Sequence, residues 1–151
     1  MHTDTTPELT DLHAGPAISI RARIAQSELP RFFGSAFGEL AACGADQIDG
    51  PPLAIYHSFD PQHIDVEAVM PVRAAVPLRG NVVPIVLTGG PAVQIRHVGP
   101  YEELGDAYRT IEQWLEDHHR VKHGSIREVY LSPPADPKDK LVTLVVQPLE
   151  E

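Results

Sequence analysis

The stretch Ala92–Ser132, AVQIRHVGPYEELGDAYRTIEQWLEDHHRVKHGSIREVYLS, holds a strand, a helix and a second strand, and it decides the fold. Ala92–Val98 is a strand. Gly99-Pro100 opens a helix: proline suits a helix start, and Glu102 and Glu103 suit the positive end of the dipole. Leu104, Ala107, Tyr108, Ile111, Trp114 and Leu115 recur at helical spacing as an apolar stripe, and Gly124 is expected to close the helix. Ile126–Ser132 is a strand. Its alternation puts Ile126, Glu128 and Tyr130 on one face and Arg127, Val129 and Leu131 on the other. Val129 and Leu131 suit the helix side better, which sends Glu128 and Tyr130 to the opposite face. Leu141–Leu149 is the last strand.

The same order occurs once before. Ala17–Ala25 alternates as a half-buried strand. Ser27 is a candidate helix cap, with Pro30 in the first turn. Leu29, Phe32, Phe33, Phe37, Leu40 and Ala41 then keep helical spacing up to Gly44. Gly34 and Gly38 weaken this helix. After Gly50-Pro51-Pro52, Leu53–Phe59 and Ile64–Val72 read as a hairpin turned at Asp60-Pro61. Residues 73–81 connect to a short apolar run, Val82–Leu87. Gly89-Gly90-Pro91 has no following Gly-Lys-Ser/Thr and reads as a hairpin turn, not a phosphate loop. The halves echo each other at an offset near 75: Ile20-Arg21 with Ile95-Arg96, Gly50 and Tyr56 with Gly124 and Tyr130, Pro61 near Ser58 with Pro133-Pro134 after Ser132, and Val69-Met70-Pro71-Val72 with Val146-Gln147-Pro148-Leu149. The expected fold is α+β: duplicated βαββ units, about 17–72 and 92–149, with antiparallel sheet, helices on one face and a central ligand groove. Residues 1–16 read as a flexible lead-in and 17–151 as one domain.

Composition removes several function classes. The chain has 151 residues and a net charge of -9, with no basic run, so direct nucleic-acid binding is not expected. No apolar run approaches the roughly 20 residues of a membrane span. The polar, acidic N-terminus has no signal-peptide pattern. The lone cysteine, Cys43, cannot form an internal disulfide and reads as a small buried hydrophobe; a cytoplasmic location is expected.

Several segments together resemble one family. Gly50-Pro51-Pro52-Leu53-Ala54-Ile55-Tyr56-His57, Asp65-Val66-Glu67 with Pro71-Val72, His97-Val98-Gly99-Pro100-Tyr101-Glu102-Glu103-Leu104 leading to Trp114-Leu115, and Arg127-Glu128-Val129-Tyr130-Leu131 resemble the GyrI-like superfamily. This is also the effector-binding domain of many AraC- and MerR-type regulators. The resemblance covers about residues 17–149. It implies a groove for lipophilic, often cationic or aromatic molecules, as in multidrug recognition, with a carboxylate on the penultimate strand at its centre; Glu128 matches that position. It also implies two other roles, hydrolysis of cyclopropane-containing toxins and inhibition of gyrase as a protein partner. No helix-turn-helix fits before residue 17, so a transcription-factor role of its own is not expected.

Glu128 is therefore the central candidate: charge partner of a bound cation, or general acid or base if the protein is an enzyme. Tyr56 and its repeat mate Tyr130 offer ring faces for stacking or cation–π contact. Phe59 and Tyr101 lie beside loops and could rim the cleft, and Trp114 belongs to the helix stripe, as core or groove floor. Glu67 is a second carboxylate candidate, its facing open and solvent exposure expected. His118, His119 and His123 carry no metal motif, and neither a metal nor a cofactor is expected.

Overall fold

The computed structural model describes residues 2–3 (backbone only), 6–133 and 135–151; residues 1, 4 and 5 of the lead-in and Pro134 of the Pro133-Pro134 pair lie outside them. The elements are β1 (His2–Thr3), β2 (Glu8–Leu12), β3 (Gly15–Ile24), α1 (Leu29–Gly44), β4 (Leu53–Asp60), β5 (His63–Pro71), β6 (Val83–Leu87), β7 (Gly90–Val98), α2 (Gly105–His118), β8 (Ile126–Tyr130) and β9 (Val142–Pro148). The fold is α+β, as expected. The chain divides into two compact units, His13–Gly89 and Met1–Leu12 with Gly90–Glu151.

In the unit His13–Gly89, β5 pairs with β4 and β3, and β3 with β6, all antiparallel. Ile18 lies opposite Met70 and Ile20 opposite Ala68. Ile18, Ala68 and Met70 form a core with Ala36 and Leu40 of α1, against which Ile20, Phe33 and Phe37 pack. The helix is entered through a short 3-10 turn, Gln26–Glu28, in which the Glu28 carboxylate accepts from the Ala25 N–H at 3.0 Å. That acceptor takes the place expected of Ser27, and among the described residues no side chain caps α1 itself.

In the second unit β7 pairs with β9, β9 with β8, and β7 also with β1 and β2. Val93 and Ile95 of β7, Val145 of β9, and Ala107, Ile111 and Leu115 of α2 form its core. The repeat extends to these helices: the buried pairs Ala36 and Leu40, Ile111 and Leu115, lie 75 positions apart.

Three expectations need correction. Glu8–Leu12 is not a flexible lead-in but a strand, held by its backbone on β7. An edge strand needs one partner and little burial, so its polar sequence does not announce it. The segment Gly89-Gly90-Pro91 is not a hairpin turn, because β6 pairs with β3 while β7 pairs with β2 and β9. The two exchanged strands share one register: Leu87 lies opposite Gly15, and Leu12 opposite Gly90. Each precedes one βαββ segment in sequence and pairs in the other unit. Gly90 has φ +119, a conformation glycine reaches without a Cβ penalty, where the chain passes from one unit to the other. Finally, α2 stops at His118 rather than near Gly124. His119 takes a left-handed conformation (φ 53) and its N–H caps the carbonyls of Leu115 and Glu116.

Candidate functional site

On β8, Glu128 lies opposite Val145 and Tyr130 opposite Thr143. Directly opposed side chains share a face. Val145 is part of the core beneath α2, so Glu128 and Tyr130 face α2 as well. The alternation that groups them holds, but the facing expected from Val129 and Leu131 is reversed. Apolar character does not decide it here: Leu131 is 46% exposed, and the polar pair is satisfied under the helix.

The satisfaction comes from tyrosines. Tyr108 of α2 donates its hydroxyl to Glu128 Oε2 at 2.5 Å, and Tyr130 donates to Oε1 at 2.8 Å. Glu128 is only 8% exposed. Burial raises its pKa from the ordinary glutamate value, and the two hydrogen bonds, which favour the charged form, only partly oppose that shift. Tyr101 sits in the 3-10 turn before α2, 41% exposed, its ring edge-on to Tyr130 at 5.7 Å. Burial, and then the Glu128 charge, push its hydroxyl pKa up. The centre thus combines one buried carboxylate with three phenol rings.

Tyr108 escapes a sequence reading because it falls on the apolar stripe and passes for core. The available signal is chemical: a buried tyrosine hydroxyl needs a partner. The repeat sharpens it. Ala54 lies opposite Ala68 on β4 and β5 as Glu128 lies opposite Val145, and Phe33 stands 75 positions before Tyr108. One unit therefore carries a polar centre where the other carries alanine and phenylalanine.

Of the remaining candidates, Tyr56, Phe59 and Glu67 belong to the unit His13–Gly89, and Trp114 to α2. Tyr56 lies opposite Val66 on the α1 side, its ring 5.8 Å from that of Phe59, which is 55% exposed. Glu67 lies opposite Arg21 and Ile55, on the sheet face away from α1. Instead of being solvated it is buried and bonded to His57 Nε2 at 2.8 Å. Beside it Arg21 forks onto both oxygens of Asp65 at 2.8 Å. That hydrogen-bonded pair lowers the Asp65 pKa against the opposing effect of burial. Trp114 packs on the α2 core and stacks on His118, ring centres 4.2 Å apart. The Nδ1 of His118 is 2.9 Å from the Trp114 carbonyl, and among the described residues no three metal-ligating side chains converge. No described helix is long and apolar enough to cross a membrane.

Comparison with known proteins agrees with this architecture. No protein of curated function matches the chain in sequence. Among solved structures, the C-terminal domain of EcmrR superposes with a TM-score of 0.87 at 22% identity, covering 97% of this chain and 98% of that one. A hydrolase from Listeria innocua superposes with a TM-score of 0.69 at 15% identity, covering 97% and 92%. SAV2435, solved bound to tetraphenylphosphonium, superposes with a TM-score of 0.66 at 12% identity, covering 96% and 94%. At these identities the likeness is one of fold. The model of the GyrI-like small molecule binding domain matches residues 5–150, nearly the whole sequence and including the β2 strand, and the chain belongs to that family.

Proposed function

We propose that the Glu128 centre binds a lipophilic organic cation, with the carboxylate as charge partner and Tyr101, Tyr108 and Tyr130 as aromatic walls. The observation that carries this reading is the buried carboxylate whose two hydrogen bonds do not offset its loss of solvation. A cation placed against it restores that loss, and phenol faces attract the same charge. The tetraphenylphosphonium held by SAV2435 is a ligand of this kind on the same fold. Because only ionised Glu128 attracts a cation, affinity rises with pH through the raised pKa and levels off above it.

Calorimetric titration with tetraphenylphosphonium near neutral pH tests the reading. The Glu128→Gln variant is expected to bind about 10- to 100-fold more weakly, the range of roughly 1.5–3 kcal/mol for an interaction with a charged group. Equal affinity in the two proteins would remove Glu128 as the charge partner.

A second reading has its own support. A carboxyl group with a raised pKa is suited to general acid or base work on an electrophilic ring, and a structural neighbour is named a hydrolase. Multiple turnovers of a cyclopropane-bearing electrophile, abolished by Glu128→Gln, would support that reading; stoichiometric binding without product supports the first.

A further inference from the structure

We infer that the Thr143 hydroxyl is a second recognition point of this centre. Its ligand is then an organic cation that also carries a hydrogen-bonding oxygen or nitrogen; the inference rests on the cation reading above. Thr143 is 0% exposed, and among the described residues its Oγ1 has no hydrogen-bond partner. A buried hydroxyl without a partner is costly, and protein interiors rarely leave one so.

Its place in the sheet gives the vacant bonding capacity a direction. Thr143 lies opposite Tyr130 on one side and His97 on the other, and Val145, two residues along β9, lies opposite Glu128. All five side chains therefore share the face beneath α2. Thr143 and Glu128 are diagonal neighbours, about 7–8 Å apart at the backbone and less at the side chains. Neither flanking group serves the hydroxyl. Tyr130 donates to Glu128, and His97 Nε2 is 3.2 Å from the Pro100 carbonyl, which only accepts, so that nitrogen carries hydrogen and is engaged there. A cation seated on Glu128 brings a hydroxyl or amide two or three bonds from its charge into reach of Thr143. A hydrocarbon cation leaves that oxygen unpaired.

The test uses the full chain and two probes of equal size, benzyl(2-hydroxyethyl)dimethylammonium and benzyldimethyl(propyl)ammonium. Both are titrated into the native protein and into Thr143→Val, Thr143→Ser and Glu128→Gln. The native protein is expected to prefer the hydroxylated probe by roughly three- to tenfold, the worth of one net hydrogen bond. Thr143→Val abolishes the preference, Thr143→Ser keeps it, and Glu128→Gln weakens both probes together. If the native protein binds both probes equally while Glu128→Gln weakens both, the cation reading stands and the role of Thr143 falls. A preference that survives in Thr143→Val also overturns it. If neither probe binds the native protein, the cation reading fails and this inference with it. A thermal melt adds a ligand-free check. Replacing an unpaired hydroxyl by an isosteric methyl should leave the melting temperature unchanged or raise it, and a clear fall would show that the hydroxyl is already satisfied, which contradicts the proposal.

Discussion

At pH 8 the Glu128→Gln variant melts at a higher temperature than the native protein, and the difference closes as the pH falls below about 4. Glu128 has a raised pKa in the folded chain, because burial opposes its charge more than Tyr108 and Tyr130 support it. Between the ordinary glutamate value and the raised one, the folded protein holds a proton that the unfolded chain has released. Stability therefore falls as pH rises through that window, and the full penalty remains above it. Below the unfolded value both states are protonated and the penalty is absent. Glutamine fits the same cradle without charge: its carbonyl accepts from one tyrosine hydroxyl while its amide donates to the other. Each kcal/mol recovered is worth roughly 2–4 °C in a chain of this length. Melting curves across pH check this, and a Gln variant less stable than the native protein at pH 8 would mean that the carboxylate is supported by more than two phenols. Asp65 acts with the opposite sign. Its lowered pKa adds stability above its ordinary value and loses it as pH falls, moderated by the half-exposed Arg21.

Ile111→Ala should lower stability by about 2–5 kcal/mol, the usual cost of emptying a filled core site, and the melting temperature by roughly 5–15 °C. Ile111 is almost fully buried and packs with Ala107, Leu115, Val93 and Val145 in the core that fastens α2 to its sheet. Tyr108, one turn earlier, packs on the same cluster and is the arm of α2 that reaches Glu128. The loss of packing therefore also reaches the site: cation affinity is expected to fall along with stability. Denaturant titration gives the first effect and calorimetry the second. An unchanged melting temperature would show that α2 is held by contacts other than this core.

Much of the fold is legible because its signals are local. The helix stripes, the strand alternation and the echo at 75 residues each need only neighbours in sequence, and the βαββ order follows from them. The exchange of β2 and β6 is not local. Gly-Pro at 15–16 and at 90–91 marks two equivalent crossings, yet nothing in a polar Glu-Leu-Thr-Asp-Leu says which edge it will join. The site divides the same way. Glu128 and Tyr130 share a face by the two-residue period of a strand, and Tyr101 stands at the turn into α2. Which face they share depends on the partner that satisfies the carboxylate, and Tyr108 is concealed among the apolar residues of its helix. Glu67 is buried because His57, across a register shift on β4, supplies a bond that residue spacing does not reveal.

In the proposed complex a buried Glu128, its pKa raised by burial, is the charge partner of the cation. The most direct test is the number of protons released when tetraphenylphosphonium binds, measured by calorimetry in buffers of different ionisation enthalpy from about pH 4 to pH 8. The expected result is a release that approaches about one proton where Glu128 is still protonated, declines as pH rises through its raised pKa, and is absent in Glu128→Gln. Binding of equal strength with no proton released at any pH would place the cation away from this carboxylate and rule out Glu128 as its charge partner.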